Sequence, residues 1–196
     1  KKKKKKNKSN SIIIAPTNFL SFPKLSIYNK IDKIIGILLF QTNFKIIFRP
    51  HPSNANSKKV KIIEDKFCRY KSFQIDKSKN YFKSYSNSFL MITDISGTAY
   101  TYSFLTFNPV IFFSVSKKMI KKNRYDILSY FKNRNNIGFV VDNEKKLIQF
   151  IHRSKITNIK RENFIKDNLK KMNISNSKKL FEIYLQNNLL KKNDKI

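Results

Sequence analysis

Short apolar runs that alternate with amphipathic stretches from residue 12 onward are the feature that most constrains the fold of this chain. The runs suited to buried strands are 12–15, 44–48, 72–75, 89–93, 110–113 and 138–141. After the first run, Leu25, Tyr28, Ile31, Ile35 and Leu38 recur at spacings of three and four, as one buried helical face requires. Alternation of strand and helix is typical of βαβ units, so the sequence predicts an α/β fold with a Rossmann-like doubly wound parallel sheet.

The remaining helices are predicted from caps and apolar spacing. They are a lysine-rich helix from the cap Ser57 to about 65, a short one near 81–86, one from 98 to before Asn108, one at 125–131, one capped by Asn143, and two in the tail 160–191. The lysine-rich residues 1–10 are predicted to be a basic linker, and residues 11–196 one domain.

The charge of the chain suggests anionic partners without choosing among them. Lys and Arg number 42 against 12 Asp and Glu, a formal net charge of +30. Nucleic acid, an anionic membrane surface and a phosphate-bearing substrate all fit this charge. The heavy use of Lys, Asn, Ile, Phe and Tyr is also what an AT-biased genome would produce, so we discount the charge as a sign of function.

The chain has few of the residues that bind metals or cofactors. Cys68 is the single cysteine, which forbids an internal disulfide, and the two histidines, His51 and His152, cannot build a zinc site with one thiol. His152 is expected on the surface of a lysine-rich helix. The longest apolar run, 34–40, is far shorter than the roughly 18 residues of a membrane span. The sequence therefore predicts no metal, no cofactor and no spanning helix.

Three polar clusters are expected to converge at one edge of the sheet. In the strand order 3-2-1-4-5-6, the ligand crevice opens at the carboxyl ends of strands 1 and 4. Thr17 follows strand 1, Arg49 and His51 follow the neighbouring strand 2, and residues 94–98 follow strand 4.

The cluster after strand 4 can bind an anion. Ser96, Gly97 and Thr98 begin a helix, where free N–H groups and the positive end of the helix dipole favour a phosphate. Asp94 would repel that anion, so it is expected to cap the turn or to accept a hydroxyl or a backbone N–H. The alternative is a capped helix start without a ligand. No G-x-G-x-x-G or G-x-x-x-x-G-K-[ST] motif occurs in a chain with only 3 glycines, which argues against NAD and P-loop chemistry.

The cluster after strand 2 reads Arg49-Pro50-His51-Pro52. Two prolines restrict the loop backbone and hold the histidine at the strand exit, while arginine offers a forked donor for phosphate. His51 could donate to a phosphate oxygen or act as acid or base. The alternative is a surface loop with a hydrogen-bonded histidine.

Four motifs in register carry a resemblance to a known family. Residues 11–17 (SIIIAPT), 48–52 (FRPHP), 92–97 (ITDISG) and 108–113 (NPVIFF) resemble the C-terminal half of the CDP-glycerol glycerophosphotransferases, the teichoic-acid polymerases and their relatives. The resemblance runs from about Ser11 to Leu190 and includes 137–143 (IGFVVDN).

The resemblance implies the C-terminal, Rossmann-like half of a GT-B glycosyltransferase fold, which binds a nucleotide-diphosphate donor. It places the diphosphate on Arg49, His51, Ser96, Gly97 and Thr98, with Thr17 and Asp94 in support and His51 as the catalytic residue. Many members have a second serine where this chain has Gly97. The acceptor domain, in which the family's catalytic base is expected, is not in this sequence, so the chain alone is expected to bind donor and hardly to catalyse.

The function expected from the resemblance is transfer of glycerol phosphate or a sugar from a nucleotide-activated donor to a cell-surface polymer or glycan. Two alternatives stay open at this stage: a basic nucleic-acid-binding module and an inactive nucleotide-binding regulatory domain. The basic residues are spread over every helix, and no RNP, KH or zinc-finger signature occurs, which makes nucleic acid the weaker partner. The expected location is the cytoplasm, and the charge leaves open a peripheral position on the inner face of the cell membrane.

Overall fold

A computed structural model describes residues 10–113, 117–122, 124–154 and 158–171. Within these residues six parallel strands form one sheet in the order β3-β2-β1-β4-β5-β6. The strands are β1 Ser11–Ile14, β2 Lys45–Phe48, β3 Phe73–Ile75, β4 Leu90–Thr93, β5 Val110–Phe113 and β6 Gly138–Val141. The helices are α1 Ile31–Gln41, α2 Lys58–Phe67, α3 Phe82–Ser86, α4 Thr98–Thr106, α5 Lys117–Lys122, α6 Ser129–Lys132, α7 Arg134–Ile137, α8 Glu144–Arg153 and α9 Ile159–Lys171.

Helices cover both faces of the sheet. On one face, Ile12 and Ile14 of β1 belong to a core that includes apolar residues of α1, α2 and α8. On the other face, Ile13 joins residues of α3, α4, α7 and α9. Burial on both faces explains why the central strands are continuous apolar runs and not alternating ones. The predicted Rossmann-like doubly wound sheet is confirmed.

Glycine is required at the start of β6 because the neighbouring strand passes very close. A Cβ added to Gly138 would lie 1.7 Å from the carbonyl oxygen of Val110, its partner in β5. This clash leaves no room for a side chain.

The predicted strands are present, with shifts of one or two residues at their ends, but the first helix is shorter than predicted: Leu25 lies in a turn and Tyr28 in a 3-10 turn at Ile27–Lys30, and α1 begins only at Ile31. Ser57 and Asn143 cap α2 and α8, as expected, by accepting the backbone N–H of Val60 and Lys146. The helix predicted at 125–131 is wrong in part: a 3-10 turn at Tyr125–Ile127 is separated from α6 by Leu128, whose ψ of 139° is extended.

The ends of the chain are only partly covered by the described residues. The first helix expected in the tail is α9, whereas the second helix and the basic linker lie outside the described residues, apart from Asn10. No helix in the described ranges combines the length and hydropathy of a membrane span. Cys68 is an exposed free thiol.

Candidate functional site

The loops that follow β1, β2 and β4 leave the sheet side by side. β1 lies between β2 and β4, and adjacent strands are about 4.8 Å apart, so the exits of β2 and β4 are separated by about 10 Å. Backbone hydrogen bonds continue past the strand ends: Arg49 N donates to Ile14 O at 2.8 Å, and Ala15 N donates to Ile92 O at 2.9 Å. The three predicted clusters therefore share one edge of the sheet.

Asp94 is the buried centre of this edge. Its side chain is 2 % exposed. One carboxylate oxygen accepts N–H groups from Thr17 at 2.9 Å, Ile95 at 2.6 Å and Ser96 at 3.2 Å. The other accepts the N–H of Ile27 at 2.9 Å. One carboxylate thus holds both ends of the loop after β1 against the turn after β4, and it faces protein donors and not a ligand.

Burial and hydrogen bonding act in opposite directions on the ionisation of Asp94. Desolvation dominates and raises the pKa of Asp94, while the backbone donors of Ile27, Thr17 and Ile95 lower it. The carboxylate is thus a buried group whose charge depends on its four N–H partners.

The start of α4 presents unused backbone donors. Gly97 is the N-cap, with φ of −61° and ψ of −21°. Among the residues that the structure describes, no acceptor is bonded to the N–H of Gly97 or of Thr98. Ser96 is largely buried, and its carbonyl accepts the hydroxyl of Tyr130 at 2.8 Å. The nine-residue helix α4 therefore begins with two adjacent N–H groups that have no acceptor among the described residues, and the sequence predicted an anion at this position.

His51 caps a short 3-10 turn, and its second ring nitrogen has no partner among the described residues. Its Nδ1 accepts the N–H of Ser53 at 3.2 Å, and its carbonyl accepts the N–H of Asn54 at 2.8 Å. Because Nδ1 accepts, the proton of the neutral imidazole is assigned to Nε2. The half-buried ring therefore has an N–H left for a ligand.

Asn54 joins the histidine loop to the loop after β1, a role that the sequence analysis missed. Its side chain is fully buried, and its Oδ1 accepts the N–H of Phe19 at 3.1 Å. Its Nδ2 is buried and has no hydrogen-bond partner in the part of the chain that the structure describes. The only signal in the sequence was that Asn54 lies two residues after Pro52. Asparagines are so common in turns that this position alone does not indicate a contact with another loop.

Arg49 is engaged with protein groups at the end of β3. Its Nη1 lies 2.5 Å from a carboxylate oxygen of Asp76, and its Nη2 donates to the carbonyl of Ser78 at 2.9 Å. Burial raises the pKa of Asp76, but hydrogen bonds from Ser78, Ser84 and Arg49 outweigh it, so the pKa lies below its ordinary value. The Arg49 side chain is only 10% exposed, and its guanidinium is used in the ion pair with Asp76.

The two threonines of the predicted site differ in their partners. Thr98 is hydrogen-bonded through its hydroxyl to the hydroxyl of Tyr85, a residue that the sequence did not single out. Thr17 is 8 % exposed and is attached to Asp94 through its backbone. His152 is exposed on α8, as expected. In the described part of the chain, no group of three or more His, Cys, Asp or Glu residues is arranged to hold a metal ion.

Comparison with known proteins identifies a family and a fold. A sequence model for CDP-glycerol:poly(glycerophosphate) glycerophosphotransferases matches residues 4–182. No curated protein gives a significant match. Among solved structures, a UDP-GlcNAc 2-epimerase from Methanocaldococcus jannaschii has a TM-score of 0.50 and 18% identity, and the match covers 74% of this chain and 38% of the epimerase.

Two further structures were also matched. One is the M. jannaschii epimerase in complex with UDP-GlcNAc and UDP, with a TM-score of 0.46 and 19% identity over 77% of this chain and 40% of that one. The other is the S. aureus MnaA-UDP co-structure, with a TM-score of 0.44 and 12% identity over 87% of this chain and 47% of that one. The present chain therefore spans less than half the length of each of these proteins.

Proposed function

Because the chain belongs to the CDP-glycerol:poly(glycerophosphate) glycerophosphotransferase family, we propose that it is the donor-binding part of a transferase. The group transferred is glycerol phosphate or a sugar, and the donor is a nucleotide diphosphate derivative such as CDP-glycerol. The acceptor is a polyol-phosphate polymer or glycan of the cell surface, as in teichoic-acid synthesis. In this proposal the domain is the C-terminal half of a GT-B fold.

The observation that carries the proposal is the pair of unbonded N–H groups of Gly97 and Thr98 at the crevice. Backbone donors at a helix start bind phosphate without a metal, because they bring fixed partial charge to a position where the helix dipole is also positive. In this proposal the Nε2–H of His51, on the loop after β2, is a second donor to the same diphosphate, because the exits of β2 and β4 lie on either side of β1.

The proposed chemistry needs stabilisation of a departing phosphate. For a CDP-glycerol donor, an acceptor hydroxyl attacks the phosphorus that carries glycerol, and the bond from that phosphorus to the bridging oxygen breaks. CMP leaves with the electron pair, and the acceptor proton goes to a base that this chain does not identify. His51 and the N–H groups of Gly97 and Thr98 would stabilise the charge that develops on CMP, which makes His51 the proposed catalytic residue.

The other predicted site residues have supporting places in this proposal. Ser96 and Asp94 hold the turn that presents the two N–H groups, and Thr17 is bonded to the same carboxylate. Of these residues, Arg49 is the least suited to contact the diphosphate directly. Its two terminal nitrogens already donate hydrogen bonds to Asp76 and Ser78. Its positive charge next to the crevice still favours an anion.

Calorimetric titration tests the proposal directly. The chain is titrated with CDP-glycerol, with CDP, and with a panel of UDP-, GDP- and ADP-sugars, and one of these donors should bind with saturable, one-to-one stoichiometry. His51→Ala should weaken that binding, whereas His152→Ala should not. Absence of binding by any nucleotide diphosphate, also in the full-length enzyme, would contradict the proposal. Binding of donor without transfer by the full-length enzyme would instead favour the inactive regulatory domain.

A salt series separates the proposed donor from nucleic acid. Nucleic-acid binding should weaken by orders of magnitude between low and high salt because it releases many counterions. Binding of one nucleotide diphosphate at a few donors should weaken far less.

Membrane association is tested separately. If the net charge of +30 serves docking to an anionic leaflet, the chain should sediment with anionic vesicles and not with neutral ones. Equal partition into both would assign the charge to genomic composition.

A further inference from the structure

Tyr85 lies behind the anion site without belonging to any motif of the sequence. It is on α3, 3 % exposed, with its ring 4.9 Å from the ring of Tyr81 and 5.4 Å, edge-on, from that of Tyr102. Its hydroxyl is hydrogen-bonded to the hydroxyl of Thr98, the first residue of α4. A side chain of α3, which packs on the same face of the sheet as α4, thus contacts the residue whose own backbone N–H is unbonded.

The two hydroxyls have two protons and share one hydrogen bond. Tyr85 is enclosed, while Thr98 is only half-buried at the start of α4. If Tyr85 donates to the oxygen of Thr98, the hydroxyl proton of Thr98 is not used in this bond. Thr98 can then donate that proton to an anion bound at the start of α4. A hydroxyl whose oxygen accepts a hydrogen bond is also a stronger donor.

The surroundings of Tyr85 keep its proton in place. Burial raises the pKa of Tyr85, against smaller opposing effects of the Thr98 hydrogen bond and the Arg49 charge. The neighbouring Ser84 donates to Asp76, the partner of Arg49, so α3 is attached to the exit of β2 as well. The phenol is therefore neutral and held from two sides.

We propose that Tyr85 is a positioning residue of the diphosphate site, which orients the Thr98 hydroxyl so that its proton is donated to a phosphate oxygen. This inference rests on the proposed function, because it assumes that the start of α4 binds a diphosphate. It adds a residue that acts through Thr98 and does not touch the ligand.

The experiment measures dissociation constants for CDP and for inorganic pyrophosphate in the full chain. The variants are Tyr85→Phe, Thr98→Val and the double variant, with Thr98→Ser as the conservative replacement. Tyr102→Phe is the matched control, because Tyr102 lies on the same helix and its hydroxyl is also buried and bonded, but to Ser88 and away from the start of α4. Thermal unfolding of each variant is recorded beside the titrations.

Thr98→Val should weaken both ligands about tenfold or more, as expected for a lost hydrogen bond to a charged group, and Tyr85→Phe about fivefold. In the Thr98→Val background, Tyr85→Phe should have no further effect, because its partner is gone. Thr98→Ser should recover most of the affinity that Thr98→Val loses, because it keeps the hydroxyl, and Tyr102→Phe should bind like the parent.

Three results would overturn the inference: Tyr85→Phe within twofold of the parent, additive losses in the double variant, or an equal loss in Tyr102→Phe. Failure of the parent chain to bind both CDP and pyrophosphate would be a different outcome, since it removes the diphosphate site itself and with it the proposed function.

Discussion

The loops after β2 and β4 contribute to the same crevice, but they are held in different ways. The turn after β4 depends on Asp94, whose carboxylate accepts N–H groups from residues 67 and 77 positions away in sequence. The loop after β2 is restricted by two prolines and by contacts between neighbours, chiefly the bond from the N–H of Ser53 to His51. Asp94 is therefore held by tertiary contacts, whereas the contacts of His51 itself are local, although Arg49 and Asn54 of the same loop are bonded to the distant residues Asp76 and Phe19.

This difference separates stability from binding. A substitution of Asp94 should destabilise the fold, because four buried backbone N–H groups lose the carboxylate that accepts their hydrogen bonds. A change at the free nitrogen of His51 should disturb only a ligand, because no described residue depends on it. The predictions that follow test this separation in order of expected effect.

Asp94→Asn should destabilise the chain by about 2–4 kcal/mol, measured as the free energy of unfolding in urea. The asparagine side chain keeps one acceptor oxygen, but an NH₂ group replaces the other carboxylate oxygen. This NH₂ group faces a backbone N–H that the oxygen had accepted, so at least one buried donor is left unpaired. Asp65→Asn is the control, since its carboxylate is 61% exposed in an ion pair with Lys61, and it should change stability by less than about 0.5 kcal/mol. Equal effects at the two positions would refute the structural role of Asp94.

His51→Asn should weaken binding of the preferred donor by about 1.5–3 kcal/mol while the unfolding free energy stays near that of the parent. The asparagine oxygen can replace Nδ1 as the acceptor for Ser53 N–H, so the variant removes the Nε2 donor and keeps the cap. Calorimetry of donor binding, with urea unfolding beside it, provides both numbers. Unchanged donor affinity would show that His51 does not contact the diphosphate.

Gly97→Ser should bind a nucleotide diphosphate as well as the parent or tighter, by up to about 1 kcal/mol. Nothing lies within 4 Å of a Cβ at this position, and its φ of −61° suits any residue, so the added hydroxyl is a further donor at the helix start. Gly97→Ala is the matched control, because it adds the Cβ without the hydroxyl. Weaker binding in both variants would mean that the ligand itself occupies the space at Gly97.

The Arg49–Asp76 pair should make an acid-sensitive contribution to stability. The pKa of Asp76 is lowered in the folded chain, so the contribution is fully present above the ordinary value of 3.8 and is lost as the pH falls through the folded pKa. The difference in unfolding free energy between the parent and Asp76→Asn should be constant near neutral pH and shrink in acid. A difference that grows as the pH falls would contradict the assignment.

Much of the fold could be predicted because local patterns agree with it. The buried strands are β-branched and aromatic runs, Ser57 and Asn143 are helix caps, and the strand order follows the rules for doubly wound sheets. The prediction of one helix at 125–131 was wrong in part because Leu128 adopts an extended conformation, and no residue near it in the sequence indicates this.

The candidate site was predictable in its outline only. Residues 49–51 and 94–98 were expected at one edge because parallel strands end on the same side, and they lie there. The partners of these residues were not predictable: Asp76 for Arg49, Asn54 for the loop after β1, and Tyr85 for Thr98.

The sequence by itself determined which residues form strands and helices, and through the topology rules it determined the edge at which the polar loops gather. Only the tertiary structure decided which polar groups remain available to a ligand. A carboxylate, a guanidinium or a hydroxyl is free or occupied according to donors and acceptors that lie tens of residues away, as the separation of 77 positions between Thr17 and Asp94 shows. The hydrogen-bonding capacity of a side chain is a local property, but its use depends on which distant groups the fold brings within about 3 Å.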